Sequence, residues 1–486
     1  MKKISILFVS ILSLSILSVS CDADFENVNK NPNRPEVVPA HLLLGNIIRI
    51  NQNVLYGMQQ GGDMGMCWSQ QVSKVQYNDE ERYIPRAGAV DGVWTTLYSS
   101  VLTSSQEMYK IADAEGNDNL KGISLVLQAN AFQILTDLYG PIPFKEFNVP
   151  NNVKPAYDTQ EEVYKGILKM LTDADALLAA NTGDVPTTSD LVYQGDATKW
   201  RKLANSLHLK ALMRISKVGG DIAINVGDEV KKLVAAGRLM TSNADSAQLN
   251  YLAAQPDANP IYETVVFSAR EEYKLSSVMV DKLAGSNDPR LAVFASPIDN
   301  AGNYAGNIPG TENSGNYDGF SALGDFYLDP TLPGVILSYA QVEFYLAEAA
   351  NEGFLTGTSD LVAAADHYNK GITANMTFNG VGASAPAFLT EPDVLFSGTQ
   401  ADAKKKIGEQ MWVSLFGQGF EAWTEWRRTG FPALLPVVNA APGVTTIPSR
   451  LFYNTSEVTF NNASYNAGVV LLKGPDKLTT RLWWMK

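Results

Sequence analysis

Cysteine and histidine are nearly absent from this chain, with two cysteines, Cys21 and Cys67, and three histidines in 486 residues. No disulfide framework is available, so the core must hold together by burial. His41, His208 and His367 lie more than 150 residues apart, and no His/Cys cluster has the spacing a zinc site needs. Gly-x-Ser-x-Gly, the P-loop and the EF-hand calcium loop are also missing. No cofactor or metal is therefore expected. Two Gly-x-Gly-x-x-Ala stretches occur, Gly380 to Ala385 and Gly417 to Ala422. The first runs into Pro386 and the second follows a helical pattern, whereas a dinucleotide site needs strand, glycine turn, then helix. Acidic pairs such as Glu80-Glu81 and Glu271-Glu272 read as solvated faces, because a glycosidase needs two carboxylates set across one bond and adjacency does not supply that. The expectation is a protein that is not an enzyme.

Basic stripes are lacking too. The formal charge is −13, and −15 once Lys2 and Lys3 leave with the leader, so a phosphate backbone is repelled and nucleic-acid binding is excluded. The one long apolar run, Ile4 to Val19, follows Lys2-Lys3 and is diluted by five serines before Ser20 and Cys21. This is a signal peptide over 1–20, with a cysteine at the cut. A thiol there is the lipid acceptor of a bacterial lipoprotein, although Ser18 stands where that pattern prefers leucine. The alternative is an ordinary secreted protein with a stray cysteine. Residues 21–39, CDADFENVNKNPNRPEVVP, form a flexible tether that reaches up to ~60 Å when extended. No Pro/Ser-rich linker follows, so 40–486 reads as a single α-rich domain held to the membrane through the lipid anchor alone.

Helical spacing dominates that domain. Leu43, Ile47, Ile50, Val54 and Leu55 predict a helix within 40–60, and four more follow over 93–113, 119–139, 159–180 and 197–217. Thr159 with Glu162 predicts a capping box for the third of these. Further helices are expected near 227–236, 276–284, 338–351, 359–377 and 400–416, with minor strands at Ile261 to Phe267 and Val469 to Leu472. Consecutive helices of this length build bundles or helix-pair solenoids, though no strict 34-residue period appears. The stretch DLYGPIPF, Asp137 to Phe144, ends the 119–139 stripe with glycine and proline and reads as a packed helix terminus. Trp412, Trp423 and Trp426 share a helical face and read as core, with Arg427 and Arg428 forming ion pairs with Glu421 and Glu425.

Two stretches hold aromatics on polar, turn-rich sequence. The first has Trp68, Tyr77, Tyr83, Trp94 and Tyr98; the second, 296–334, holds seven glycines and five asparagines with Tyr304, Tyr317, Phe320, Phe326 and Tyr327. Such rings stack on sugars, bury a peptide, or pack beneath long loops. A long loop of Tyr, Gly, Asn and Ser is also a recognition composition, for ligand or partner. The expected site is a groove edged by 61–98 and 303–327, with Trp68, Tyr77, Tyr83, Trp94, Tyr304, Tyr317 and Phe320 as candidate ligand contacts.

Several segments together resemble one family. NPNRPEVVPAHLLLGNI, DLYGPIPF, TKWRKLANSLHLKALMRIS, GSNDPRLAVFA, LSYAQVEFYLAEAA, EQMWVSLFGQGFEAWTEWRRTGFP, IPSRLFYNTSEVTFN and TTRLWWMK occur in the order seen in SusD/RagB-like outer-membrane lipoproteins, SusD-like branch. Ser449 departs from the arginine that relatives often carry, and Asn454 from their proline. The resemblance implies tetratricopeptide-like helix pairs forming an α-α superhelical scaffold with long loops and few strands. It also implies lipidation at Cys21, with Asp22, Asp24 and Glu26 similar to the export signal for the outer face of the outer membrane. A nutrient, oligosaccharide or in some members peptide, is then expected to be captured and passed to a SusC-like TonB-dependent transporter on which the protein sits as a lid. A secreted glycoside hydrolase is the rival reading, and a structural surface protein that only plugs or shapes a barrel is a third.

Overall fold

The apolar stripe at 120–138 becomes one long helix, and much of the chain is arranged against it. The structure is a computed structural model that describes residues 38–486; the leader, Cys21 and the tether up to residue 37 lie outside the described residues. The main helices are α1 (His41–Tyr56), α2 (Ala87–Thr95), α3 (Thr103–Glu115), α4 (Asp118–Tyr139), α5 (Gln160–Ala180) and α6 (Ala197–Arg214). They continue as α7 (Val226–Ala235), α8 (Ser277–Gly285), α9 (Tyr339–Asn351), α10 (Leu361–Phe378), α11 (Gln400–Ser414), α12 (Gly419–Thr429) and α13 (Asn462–Leu471). Four short strands, β1 (Val72–Lys74), β2 (Ala247–Leu249), β3 (Tyr273–Leu275) and β4 (Gly334–Leu337), pair antiparallel as β1 with β3 and β2 with β4.

The mainly helical expectation holds, and the helix pairs are tetratricopeptide-like. α4 packs on α5, α5 on α6, and α9 on α10. Glycine makes two of these crossings close: a Cβ on Gly122 would sit 2.7 Å from Leu178, and one on Gly371 would sit 2.9 Å from Phe344. Helix α4 starts at Asn117, whose side chain accepts from the Leu120 N–H at 2.9 Å, and ends at Gly140 with φ of 95°.

Some local expectations are corrected. The 93–113 helix is broken by a π-helical turn over Thr96–Leu102. Thr159 caps α5 through the Glu162 N–H at 3.3 Å, but the Glu162 carboxylate turns away to Lys145 at 2.8 Å and Lys165 at 3.3 Å, so the box stays half made. Full boxes form instead at Ser338/Gln341 and Thr399/Asp402. Ile261–Phe267 is helical, not extended, and Val469–Leu472 closes α13. Asn259 caps the first run through the Ile261 N–H at 2.8 Å, and the second continues the helix begun at Asn462.

The quoted motifs converge on one buried charge network. Asp137 of DLYGPIPF lies 3.2 Å from Arg214, the last residue of α6, and accepts from the Tyr164 hydroxyl at 2.6 Å. Arg214 also meets Glu425 at 2.8 Å and Glu421 at 3.0 Å. Arg428 pairs with Glu425 at 2.7 Å and with Glu348 of α9 at 2.6 Å. Arg427 makes no such pair: it donates to the carbonyls of Asp137 and Ser449, both at 2.8 Å, and lies 3.8 Å over the Trp423 ring. Arg450 donates to the Tyr139 carbonyl at 2.9 Å. The expected Glu421–Arg pairing within α12 is thus replaced by bonds from Glu421 to α6, at Lys210 and Arg214. Trp412 and Trp423 are buried as expected, and Trp426 is half-buried. Ser449 contributes only its carbonyl here, while Asn454 caps a short helical turn through the Ser456 N–H at 2.8 Å.

Candidate ligand-binding site

Strand pairing assembles a site from segments far apart in sequence. Val72 faces Leu275 and Lys74 faces Tyr273 across β1 and β3. Alternation sends Tyr273 and Leu275 to one side and Lys274 to the other. On the inner side the Tyr273 hydroxyl donates to Asp63 at 2.8 Å, and Lys74 donates to the same carboxylate at 3.0 Å. Arg86 closes the cluster at 2.9 Å from Asp63 and bonds Glu80 as well. Glu81 is fully buried; one oxygen accepts the Lys74 N–H at 3.0 Å and the other has no partner. Burial pushes its pKa up to about 7, against hydrogen bonds from Ser73 and Lys74.

The 296–334 segment is laced to this strand pair rather than free. The N–H groups of Ser314 and Gly315 donate to the Val75 carbonyl at 3.0 and 3.1 Å, and the Asn307 amide donates to Ser73 at 2.9 Å. The Leu275 N–H donates to the Ser321 carbonyl at 2.9 Å. These bonds set Tyr317 over the outer side, where its hydroxyl donates to Gln76 and the Lys274 ammonium lies 5.9 Å from its ring centre. Tyr77, held at φ of 54°, is 57% exposed with the Arg270 guanidinium 5.4 Å from its ring centre. Arg270 is itself fixed by Glu272 at 2.8 Å.

Lys274 is unusual. It is 5% exposed, yet among the described residues no carboxylate reaches ion-pair distance and its ammonium makes no hydrogen bond. Burial lowers its pKa, against the attraction of Glu271 and Asp318. Its stem is buried while the ammonium tip reaches solvent, so an incoming oxygen acceptor can take a hydrogen bond from it in place of water. Two tyrosine rings backed by two cations therefore form a shelf that can stack on an apolar ring face and donate hydrogen bonds to oxygen.

The candidate rings divide sharply. Trp68 is wholly buried, donating to the Glu80 carbonyl at 2.8 Å and meeting Trp423 edge-on at 4.9 Å. Tyr83 is buried and accepts from the Val437 N–H at 3.0 Å. Trp94 lies in a ring cluster with Tyr98, Tyr139, Tyr157 and Tyr453. These three offer no face to a ligand and serve as packing, correcting the expectation for them. Tyr304 is half-buried against the core. Tyr77, Tyr317 and Phe320 remain on or near the surface. Gln76, Arg270 and Lys274 had no mark in the sequence, since only the β1–β3 pairing joins them to the rings. Among the described residues no group of three or more His, Cys, Asp or Glu is placed to hold a metal, and no helix is long and apolar enough to cross a membrane.

A helix-pair scaffold that presents aromatic rings on a laced surface loop is the architecture of a binding protein. A family model described as starch-binding, associating with the outer membrane, matches residues 32–454. A chitin-binding protein of known structure is 27% identical, with a TM-score of 0.80 over 92% of this chain and 100% of its own. A chitin-binding SusD homologue from Flavobacterium johnsoniae is 26% identical, with a TM-score of 0.78 over 91% and 98%. A SusD homologue from Bacteroides fragilis is 26% identical, with a TM-score of 0.77 over 93% and 100%. Among curated proteins none matches the sequence. The chain belongs to the SusD-like family of outer-membrane nutrient-binding proteins.

Proposed function

We propose that this protein captures a neutral oligosaccharide on the Tyr77–Tyr317 shelf and delivers it, without chemical change, to a SusC-like TonB-dependent transporter that it covers as a lid. Lipid on Cys21 anchors it to the outer face of the outer membrane. The observation that carries the ligand reading is the pair of accessible tyrosine rings backed by Arg270 and the unpartnered Lys274. Sugar CH faces stack on such rings while hydroxyl or acetamido oxygens accept from the cations. Neutrality follows from the surroundings, because Glu271, Glu272 and Asp318 leave the shelf with no excess of positive charge for an acidic glycan. The chitin-binding names of two relatives support a glycan over a peptide.

The test is calorimetric binding of the chain from Asp22 onward to arrays of neutral glycans, acidic glycans and peptides. Tyr77→Ala and Tyr317→Ala should each weaken neutral-glycan binding by about 1–3 kcal/mol. Unchanged affinity in both variants removes the shelf assignment. A peptide hit alone would keep the capture role and change the nutrient, and turnover of any glycan would replace capture with hydrolysis.

A further inference from the structure

A sheltered cavity lies elsewhere, bounded by α10, the C-terminal end of α11, the start of α9 and the β2–β4 sheet. Its volume is 260 Å³, room for several waters at about 30 Å³ each. Not one Asp, Glu, Lys, Arg or His side chain lines it. In a chain that is 18% charged, that neutrality gives a charged occupant no counter-charge in the wall. The walls are rings, Tyr56, Tyr327, Phe378 and Phe416, with Tyr327 standing edge-on to Phe416 at 4.7 Å.

Polar groups facing this chamber are left unspent. The Tyr56 hydroxyl accepts the Val335 N–H at 2.8 Å and has no acceptor for its own proton among the described residues. Gln418 makes no side-chain hydrogen bond there at all, although it forms part of the wall. Tyr56 and Gln418 also border a 50 Å³ cavity containing Lys210 and Glu421, but those charges satisfy each other at 2.8 Å. The chamber opens toward a surface groove with which it shares Asn243 and Ala374, and Thr377 stands exposed at its rim.

We propose that this chamber is a second binding site, for one neutral polyhydroxylated ring such as a single sugar residue. The ring packs against Phe416 and Tyr327, one hydroxyl accepts the free Tyr56 proton, and others bond the Gln418 amide. Neutral rings with many hydroxyls are the class that uses both the aromatic walls and the unspent amide and phenol. The site shares no residue with the Tyr77–Tyr317 shelf and does not depend on it.

Crystals of the chain soaked in N-acetylglucosamine or methyl glucoside, with calorimetry of the same sugars, test the proposal. A sugar ring seated between Phe416 and Gln418 is expected. Thr377→Trp, a rim substitution at an exposed position, should cut monosaccharide affinity at least tenfold without shifting the melting temperature, and Gln418→Leu should weaken it severalfold. Tyr77→Ala should leave this binding in place. Water alone in the chamber at saturating sugar, or wild-type affinity in Thr377→Trp, overturns the second site. Loss of all sugar binding in Tyr77→Ala overturns it too, while leaving the shelf intact; oligosaccharide binding indifferent to Tyr77→Ala would instead count against the shelf alone.

Discussion

Asp137 and Arg214 meet at 3.2 Å in the interior, the carboxylate closing the long helix α4 and the guanidinium closing α6. Each end of the pair is further engaged, by Tyr164 on one side and by Glu421 and Glu425 on the other. Asp137→Leu takes one of three carboxylates from Arg214 and leaves the Tyr164 hydroxyl without its acceptor, so it should lower unfolding free energy by about 1–3 kcal/mol. Replacing both, as Asp137→Leu with Arg214→Met, should cost less than the sum of the single changes. Denaturant titration of the four proteins measures the coupling, and strict additivity would contradict the network.

Glu81 predicts a pH dependence whose sign is opposite to that of ordinary acid denaturation. Its folded pKa is raised from 4.5 to about 7, so the folded state holds a proton that the unfolded state has already lost. Its contribution is fully present below pH 4.5 and declines as pH rises toward 7, by about 3 kcal/mol at most. Glu81→Gln should therefore stabilise the protein at pH 8 relative to wild type and change little at pH 4. Thermal melts across that range decide it.

Core rings and shelf rings should separate cleanly by measurement. Trp94→Ala removes a fully packed ring and should cost about 3–5 kcal/mol of stability. Tyr77→Ala, at a 57% exposed position, should leave the melting temperature nearly unchanged while weakening glycan binding. Reversal of the two effects would mean that the ligand enters through the Trp94 cluster.

Lys274→Met keeps the buried stem and deletes the unpartnered charge. Stability should stay the same or rise, because the desolvation penalty disappears. Neutral-glycan affinity should fall, with Lys274→Arg recovering part of it. A destabilised Lys274→Met protein with unaltered binding would make the lysine structural.

The helices were legible because their periodicity is local. The spacing over 119–139, 159–180, 338–351 and 359–377 anticipates Asp118–Tyr139, Gln160–Ala180, Tyr339–Asn351 and Leu361–Phe378 within a residue or two. What escaped was set by tertiary contact: the π-helical turn inside 93–113, and the side chain of Glu162 drawn off to Lys145. For the site, the two aromatic-rich stretches do meet, as expected, but a ring's depth is invisible in sequence. Trp68 and Tyr77 sit nine positions apart on similar loop sequence, one at 0% and one at 57% exposure. The difference arises because Trp423, contributed by α12, packs on the first, whereas the second meets the Arg270 guanidinium and otherwise faces outward.

The β1–β3 pairing also dictates an order of events in making the protein. Residues 72–74 leave the ribosome long before residues 273–275 and the 314–321 stretch that must be laid against them. Contacts so distant along the chain form late, after local helix pairs such as α4–α5 have closed. A chain ended before residue 321 therefore lacks the partners that set Tyr317 beside Tyr77.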